Sequence, residues 1–192
     1  LSQRSKRVSK PLIVVESPTK VKTIQKYLGG RYKVASTVGH IKDLPQKELG
    51  IDVENGFIPQ YVTIPGKQKV IKALKDAAGD SQDIYLAPDP DREGEAIAWH
   101  AADVLKKKGR NFHRVLFHEL TKNGVSEALA RPESLNENRY KAQQTRRILD
   151  RLVGYQISPI LWKKVKYGLS AGRVQSVRSE EHTSELQSPS AI

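Results

Sequence analysis

The sequence predicts an α/β fold, a mainly parallel sheet flanked by helices, and three observations predict it. Short apolar runs alternate with helix-length amphipathic runs, the first three helical runs each stop at glycine, and acidic residues stand just after two of the apolar runs. Strands separated by helices of this length argue for parallel pairing with both sheet faces covered. In such folds ligands gather beyond the carboxyl ends of the strands.

The elements follow in order. Residues 11–15 read as an apolar strand and 19–28 as a helix stopped by Gly29-Gly30. Residues 32–38 form a second strand, 67–78 a helix closed by Gly79, and 83–87 a third strand. A helix over 94–108 ends at Gly109 and a strand over 113–117 follows. After about Thr121 the character changes. Residues 123–130 read as a short helix closed by Pro132, and 138–156 as a long helical run interrupted only by Gly154. In that run Ile148, Leu149, Leu152 and Val153 form one stripe expected to be buried, with Arg146, Arg147, Asp150 and Arg151 interleaved.

Composition narrows the partner. Thirty-three lysines and arginines against 21 acids leave a net charge of +12 and a pI near 9.8. The basic residues are spread along the chain, so a folded surface for a polyanion is expected rather than one basic arm, although charge alone also suits a basic protein with no special ligand. Cysteine is absent, which excludes disulfides and thiolate metal sites and leaves an intracellular reading unopposed. Neither a run of about 18 apolar residues nor an apolar stretch in residues 1–10 occurs, so no membrane span or signal peptide is expected. Methionine is absent even from position 1, and the chain is therefore expected to be a piece whose start is missing.

The strongest chemical signal is Asp89-Pro90-Asp91-Arg92-Glu93-Gly94-Glu95, four carboxylates and one arginine after the apolar Ile84-Tyr85-Leu86-Ala87. Pro88 and Pro90 disfavour helix, so Asp89 and Asp91 are expected in extended chain at a strand's mouth, with their oxygens on one side. Magnesium takes a few carboxylates together with water and phosphate oxygens, which suits this pattern to phosphodiester chemistry. The plainer reading is an acidic turn at a helix N-terminus. Glu16 also follows a strand, and if the two strands are neighbours Glu16, Asp89 and Asp91 can converge on one ion. Ser17-Pro18-Thr19 alternatively makes Glu16 a charge at the next helix's start. Further on, Trp162-Lys163-Lys164 and the glycine-flanked turn from Gly168 to Ser176 suit close approach to a phosphate backbone.

Four blocks together resemble the amino-terminal part of the bacterial type IA DNA topoisomerases of the topoisomerase I group. They are Val14-Val15-Glu16-Ser17-Pro18-Thr19-Lys20, Val38-Gly39-His40-Ile41-Lys42-Asp43-Leu44-Pro45, Asp89 to Ala96, and Gln143-Gln144-Thr145-Arg146-Arg147-Ile148-Leu149-Asp150-Arg151 continuing to Gly168 through Ser176. The first and third alone would indicate only a Toprim domain, shared with primases, type II topoisomerases and some nucleases. The second and fourth are more specific, and the match covers about residues 10–177. The resemblance implies a Rossmann-like Toprim domain at 10–121 and the start of a helical type IA domain at 122–177, after a basic tail at 1–9. Residues 178–192 resemble a translated sequencing adapter and are expected to be a non-native, poorly packed tail.

Position by position, the resemblance makes Glu16 a metal ligand and general acid or base. Asp89 and Asp91 become magnesium ligands, Glu93 an occasional one, and Lys20 and Arg92 catalytic groups. His40, Arg146, Arg147, Asp150, Tyr155, Trp162, Ser170, Ala171, Gly172, Arg173, Val174 and Gln175 become single-strand DNA contacts. Paired arginine donors suit phosphate oxygens and Trp162 suits base stacking, whereas Asp150 would orient Arg147 or Arg151 or accept from a base edge. The implied reaction is magnesium-dependent, ATP-independent relaxation of negatively supercoiled DNA, through attack of a tyrosine on one strand and strand passage. None of the seven tyrosines lies in the family's T-x-x-R-T-D-S type block, so no nucleophile is assigned and the isolated chain is expected to be inactive. A monomer in the cytoplasm, associated with the nucleoid, is expected. A Toprim nuclease or primase-like enzyme, needing the acids but not the arginine helix, and a DNA-binding module, needing the arginines but not the metal, are the rival classes.

Overall fold

A computed structural model describes residues 9–172 and divides the chain into two compact units. The first comprises residues up to Asp43 with Tyr61–Gln143, and the second Leu44–Gln60 with residues from Gln144 onward.

The first unit holds four parallel strands: β1 (Leu12–Val15), β2 (Lys33–Ser36), β7 (Asp83–Leu86) and β8 (Asn111–Arg114), in the order β2-β1-β7-β8. Every residue of β1 is buried, and successive side chains enter opposite faces. Leu12 and Val14 pack with Leu74, Ala78, Ala98, Ala101 and Leu105, contributed by α2 (Gln68–Ala78) and α3 (Arg92–Leu105). Ile13 and Val15 pack with Ile24, Leu28 and Val125, contributed by α1 (Pro18–Leu28) and α4 (Lys122–Ala130). Burial on both faces is why β1 reads as a continuous apolar run rather than an alternating one.

Local chemistry sets the helix ends. Ser17 caps α1 by accepting from the Lys20 N–H, Pro18 opens the helix, and Gly29 closes it in the left-handed region at φ 56°. Asp91 caps α3 by accepting from the Gly94 N–H, so α3 begins at Arg92, ahead of the expected Gly94. It ends at Leu105 rather than Lys108. β8 lies earlier than the expected 113–117, because Asn111 N–H already bonds Gln82 O at 2.7 Å and His113 and the Asn111 amide both reach Asp83. Val115 continues that ladder by one bond to Leu86 O.

Residues 42–63 show neither strand nor helix periodicity in the sequence. In the first unit β3 (Lys42–Asp43) pairs antiparallel with β6 (Val62–Thr63). In the second, β4 (Ile51–Asp52) and β5 (Ile58–Pro59) form a hairpin, whose turn is closed by Asn55 donating to both oxygens of Asp52. Two-residue strands carry too little periodicity to be recognised. α5 (Glu137–Lys164) runs eight residues beyond the expected Gln156, through Pro159, which removes a single backbone donor without ending the helix. Its apolar stripe is not buried as expected: Leu149 is 44% exposed and Ile148, Leu152 and Val153 only half-buried. Among the described residues of the second unit, only Leu44–Gln60 and the turn after Lys164 stand beside this helix. Among the described residues no helix is long and apolar enough to cross a membrane.

Candidate active site and nucleic-acid contact surface

The chain leaves β1 for β2 on one side and later returns to β7 on the other, so the strand order reverses between β1 and β7. Crevices at such reversals, outside the strands' carboxyl ends, are where ligands bind in open α/β sheets. Glu16 follows β1 directly, and Asp89 follows β7 after Ala87 and Pro88. Lys20, on the first turn of α1, closes the arrangement. Its ammonium is paired with Glu16 Oε1 and bonded to Asp89 Oδ1 at 2.5 Å. Partial burial pulls the Lys20 pKa down, but the bonds to Asp89 and Glu16 outweigh it and the net shift is upward.

Two features hold Asp89 in place. Gly94 packs so tightly under it that a Cβ there would lie 2.0 Å from the Asp89 carbonyl oxygen. Arg114, 1% exposed, donates to four carbonyls: Leu86 at 3.1 Å, Pro88 at 2.9 Å, Val115 at 2.9 Å and Asp89 at 2.7 Å. Its charge is met by Glu95, also 1% exposed, at 2.9 Å, and the other Glu95 oxygen accepts the Asn136 N–H at 2.7 Å. The sequence reading missed this buried pair. An arginine within the apolar run 112–117 was the available signal, since a buried charge requires a partner.

The remaining acids are used differently. Asp91, expected beside Glu16 and Asp89, directs Oδ1 to the Gly94 N–H at 2.6 Å as the cap of α3. Glu93 Oε2 lies 3.2 Å from His40 Nε2 and accepts from the Gln143 amide at 3.2 Å. Arg92 is exposed on the same turn. Among the described residues no group of three or more acids and imidazoles is gathered to cage a metal. The pair Glu16 and Asp89 nevertheless fits magnesium, which takes one or two carboxylates and completes its shell with water and phosphate oxygens. Glu16 Oε2 is buried with no hydrogen-bond partner, as a carboxylate meant for a cation would be.

In the second unit a cavity of about 570 Å³ is lined by Arg147, Asp150, Arg151, Gly154, Tyr155, Ser158, Pro159, Trp162 and Ser170. Arg151 donates to the carbonyls of Pro45 at 2.8 Å and Glu48 at 3.3 Å, and its guanidinium sits 5.5 Å from the Tyr155 ring centroid. Trp162 Nε1 donates to Leu169 O at 2.5 Å, and the residue is 42% exposed. The buried Ser158 Oγ accepts the Ala171 N–H at 3.0 Å, which fixes the turn carrying Ser170, Ala171 and Gly172. Five of the expected contact residues (Arg147, Asp150, Tyr155, Trp162 and Ser170) therefore share one cavity. Arg146 is exposed and does not line it. Arg173, Val174 and Gln175 lie outside the described residues. Ser158 and Pro159 were not singled out, because their role depends on a helix continuing past Gln156.

Parallel strands with acids at adjacent carboxyl ends define a Toprim-class α/β domain, and the Toprim domain family matches residues 11–120. The DNA topoisomerase family matches residues 134–178. The chain resembles the solved structure of full-length topoisomerase I from Thermotoga maritima, with a TM-score of 0.80 and 44% identity over 93% of this chain. It spans 31% of the length of that relative. The chain belongs to the Toprim family and, by these matches, to the bacterial type IA DNA topoisomerases.

Proposed function

We propose that this chain supplies the acid–lysine site and part of the single-strand surface of a topoisomerase that relaxes negatively supercoiled DNA. The reaction is magnesium-dependent, ATP-independent transient cleavage of one strand followed by strand passage. The observation that carries this reading is the Lys20 ammonium shared by Glu16 and Asp89 at the sheet's switch point.

Each group has a distinct task. Lys20 balances the two carboxylates in the resting site and donates to a phosphate oxygen as charge develops on it. Glu16 holds or delivers the proton at the oxygen that leaves or returns. Arg92 offers paired donors to the same phosphate. Magnesium, held by Glu16 and Asp89 with Asp91 and Glu93 beside them, would offset phosphoryl charge when bound. His40, through its contact with Glu93, orients that edge of the site. Along α5, Arg146 and Arg147 contact the strand's phosphates, Trp162 and Tyr155 stack on bases, and the main chain of Ser170 to Gly172 approaches the sugar–phosphate backbone. The nucleophilic tyrosine is none of the seven present, so the isolated chain does not relax DNA. The working form is a monomer in the cytoplasm, acting on nucleoid DNA.

A chimera joining residues 1–177 to the remaining length of the Thermotoga maritima protein tests the reading. Relaxation of supercoiled plasmid with magnesium and without ATP, lost in Glu16→Gln, is the expected result. Double-strand nicking without resealing would point instead to a Toprim nuclease.

A further inference from the structure

We infer that Val38 is a substrate-contact residue, whose isopropyl group packs on the sugar or base next to the phosphate held at Glu16 and Lys20. The inference rests on the reading proposed above. Val38 adopts φ 53°, in the left-handed region where a β-branched side chain collides with its own backbone. Glycine takes that conformation freely, and the adjacent Gly39 does so at φ 79°.

Three hydrogen bonds hold the loop. Ser36 Oγ accepts from the Val38 N–H at 2.9 Å, Lys67 Nζ donates to the Val38 carbonyl at 2.5 Å, and the Gly39 N–H donates to the Glu16 carbonyl at 2.9 Å. At Val38 and Gly39 they engage only main-chain groups, which a glycine at 38 would offer equally. They account for the turn of the backbone and leave the branched side chain unexplained. Packing does not explain it either, because Val38 is 46% exposed while Thr37 before it and Ile41 after it are fully buried. Backbone strain held by its surroundings while the side chain stays exposed and unused is the kind found at ligand contacts.

Its position identifies the ligand. The Gly39 bond ties the loop to Glu16, whose carboxylate shares Lys20 with Asp89, and His40 in the same loop reaches Glu93. A strand held there by its phosphate would lay the apolar face of a sugar or base on the flanking surface, and an aliphatic group can receive it without hydrogen bonding.

The test measures anisotropy of a labelled single-stranded oligonucleotide with the 192-residue chain, Val38→Gly and Val38→Ala, alongside thermal unfolding. Val38→Gly is expected to melt at or above the wild-type temperature and to bind about three- to tenfold more weakly. The slope of log affinity against log salt should not change, because no phosphate contact is lost. Val38→Ala should fall between the two in affinity. Full binding by Val38→Gly overturns the inference and leaves the proposed site standing, as does weaker binding accompanied by a lower melting temperature, which would mark a structural side chain. A wild-type chain that fails to bind the oligonucleotide overturns both.

Discussion

Arg114 and Glu95 form an ion pair with 1% exposure on each side, and the arginine spends its remaining donors on the carbonyls leading up to Asp89. The pair sits directly beneath the exposed acid it positions. Removing one partner of a buried pair strands the other charge. Arg114→Leu is therefore expected to lower stability by about 3–5 kcal/mol, as read by urea unfolding. Glu95→Gln keeps the shape but leaves the buried guanidinium without its counter-charge and turns an amide N–H toward one of the two donors that Glu95 now accepts from, so a comparable loss is expected.

Gly94 supports the same loop from the other side. A methyl group there would meet the Asp89 carbonyl at 2.0 Å, and backbone cannot yield as a flexible side chain would. Gly94→Ala is expected to destabilise the fold by about 1–3 kcal/mol and to weaken magnesium binding by moving Asp89. Unfolding and calorimetric metal titration read the two effects separately.

Lys20 competes with any cation for Glu16 and Asp89. In Lys20→Ala the two carboxylates lose that ammonium, so magnesium should bind several-fold more tightly while cleavage by the chimera falls. Tighter metal binding with unchanged cleavage would remove Lys20 from the reaction.

Burial holds the His100 pKa down to about 4, with His40 and Lys42 pushing the same way and Asp103 and Asp43 opposing. Both ring nitrogens lack a hydrogen-bond partner, and the rings of Tyr61 and Tyr140 lie 4.7 Å and 6.0 Å away. Because the folded pKa is below the unfolded value of about 6.5, the unfolded chain binds more protons between the two. Stability is then complete above about pH 6.5 and falls by up to about 3 kcal/mol as pH drops toward 4. Melting temperature followed from pH 7 to 4 should show this slope, and His100→Phe should flatten it.

In the cavity of the second unit, Trp162→Ala is expected to weaken oligonucleotide binding by about 1–3 kcal/mol with an unchanged salt slope. Arg147→Ala should instead reduce that slope by about one. Equal effects on affinity and slope from both would argue against a stacking role for Trp162.

Much of this was readable in one dimension because the physics is local. β1 and β7 are apolar runs long enough to be recognised, Ser17, Gly29 and Gly79 mark helix ends, and Asp89 to Glu95 announces an acidic turn whatever surrounds it. The parallel sheet flanked by helices follows from those signals. The boundaries of β8 and α3 shifted because a backbone ladder and a capping aspartate decided them. The strands between Lys42 and Thr63 carried no periodic signal at all.

By itself, then, the sequence determined an α/β domain with acids after its strands, a strongly basic composition and an arginine-bearing helix. Only the tertiary structure decided that β1 and β7 are neighbours, so that Glu16 and Asp89 meet on one lysine while Asp91 turns to cap α3. It alone revealed the arginine behind Asp89 and the strain at Val38. The physical reason is that hydrophobic period and capping act within a few residues, whereas strand order, buried charge pairing and left-handed backbone depend on contacts between segments far apart in the chain.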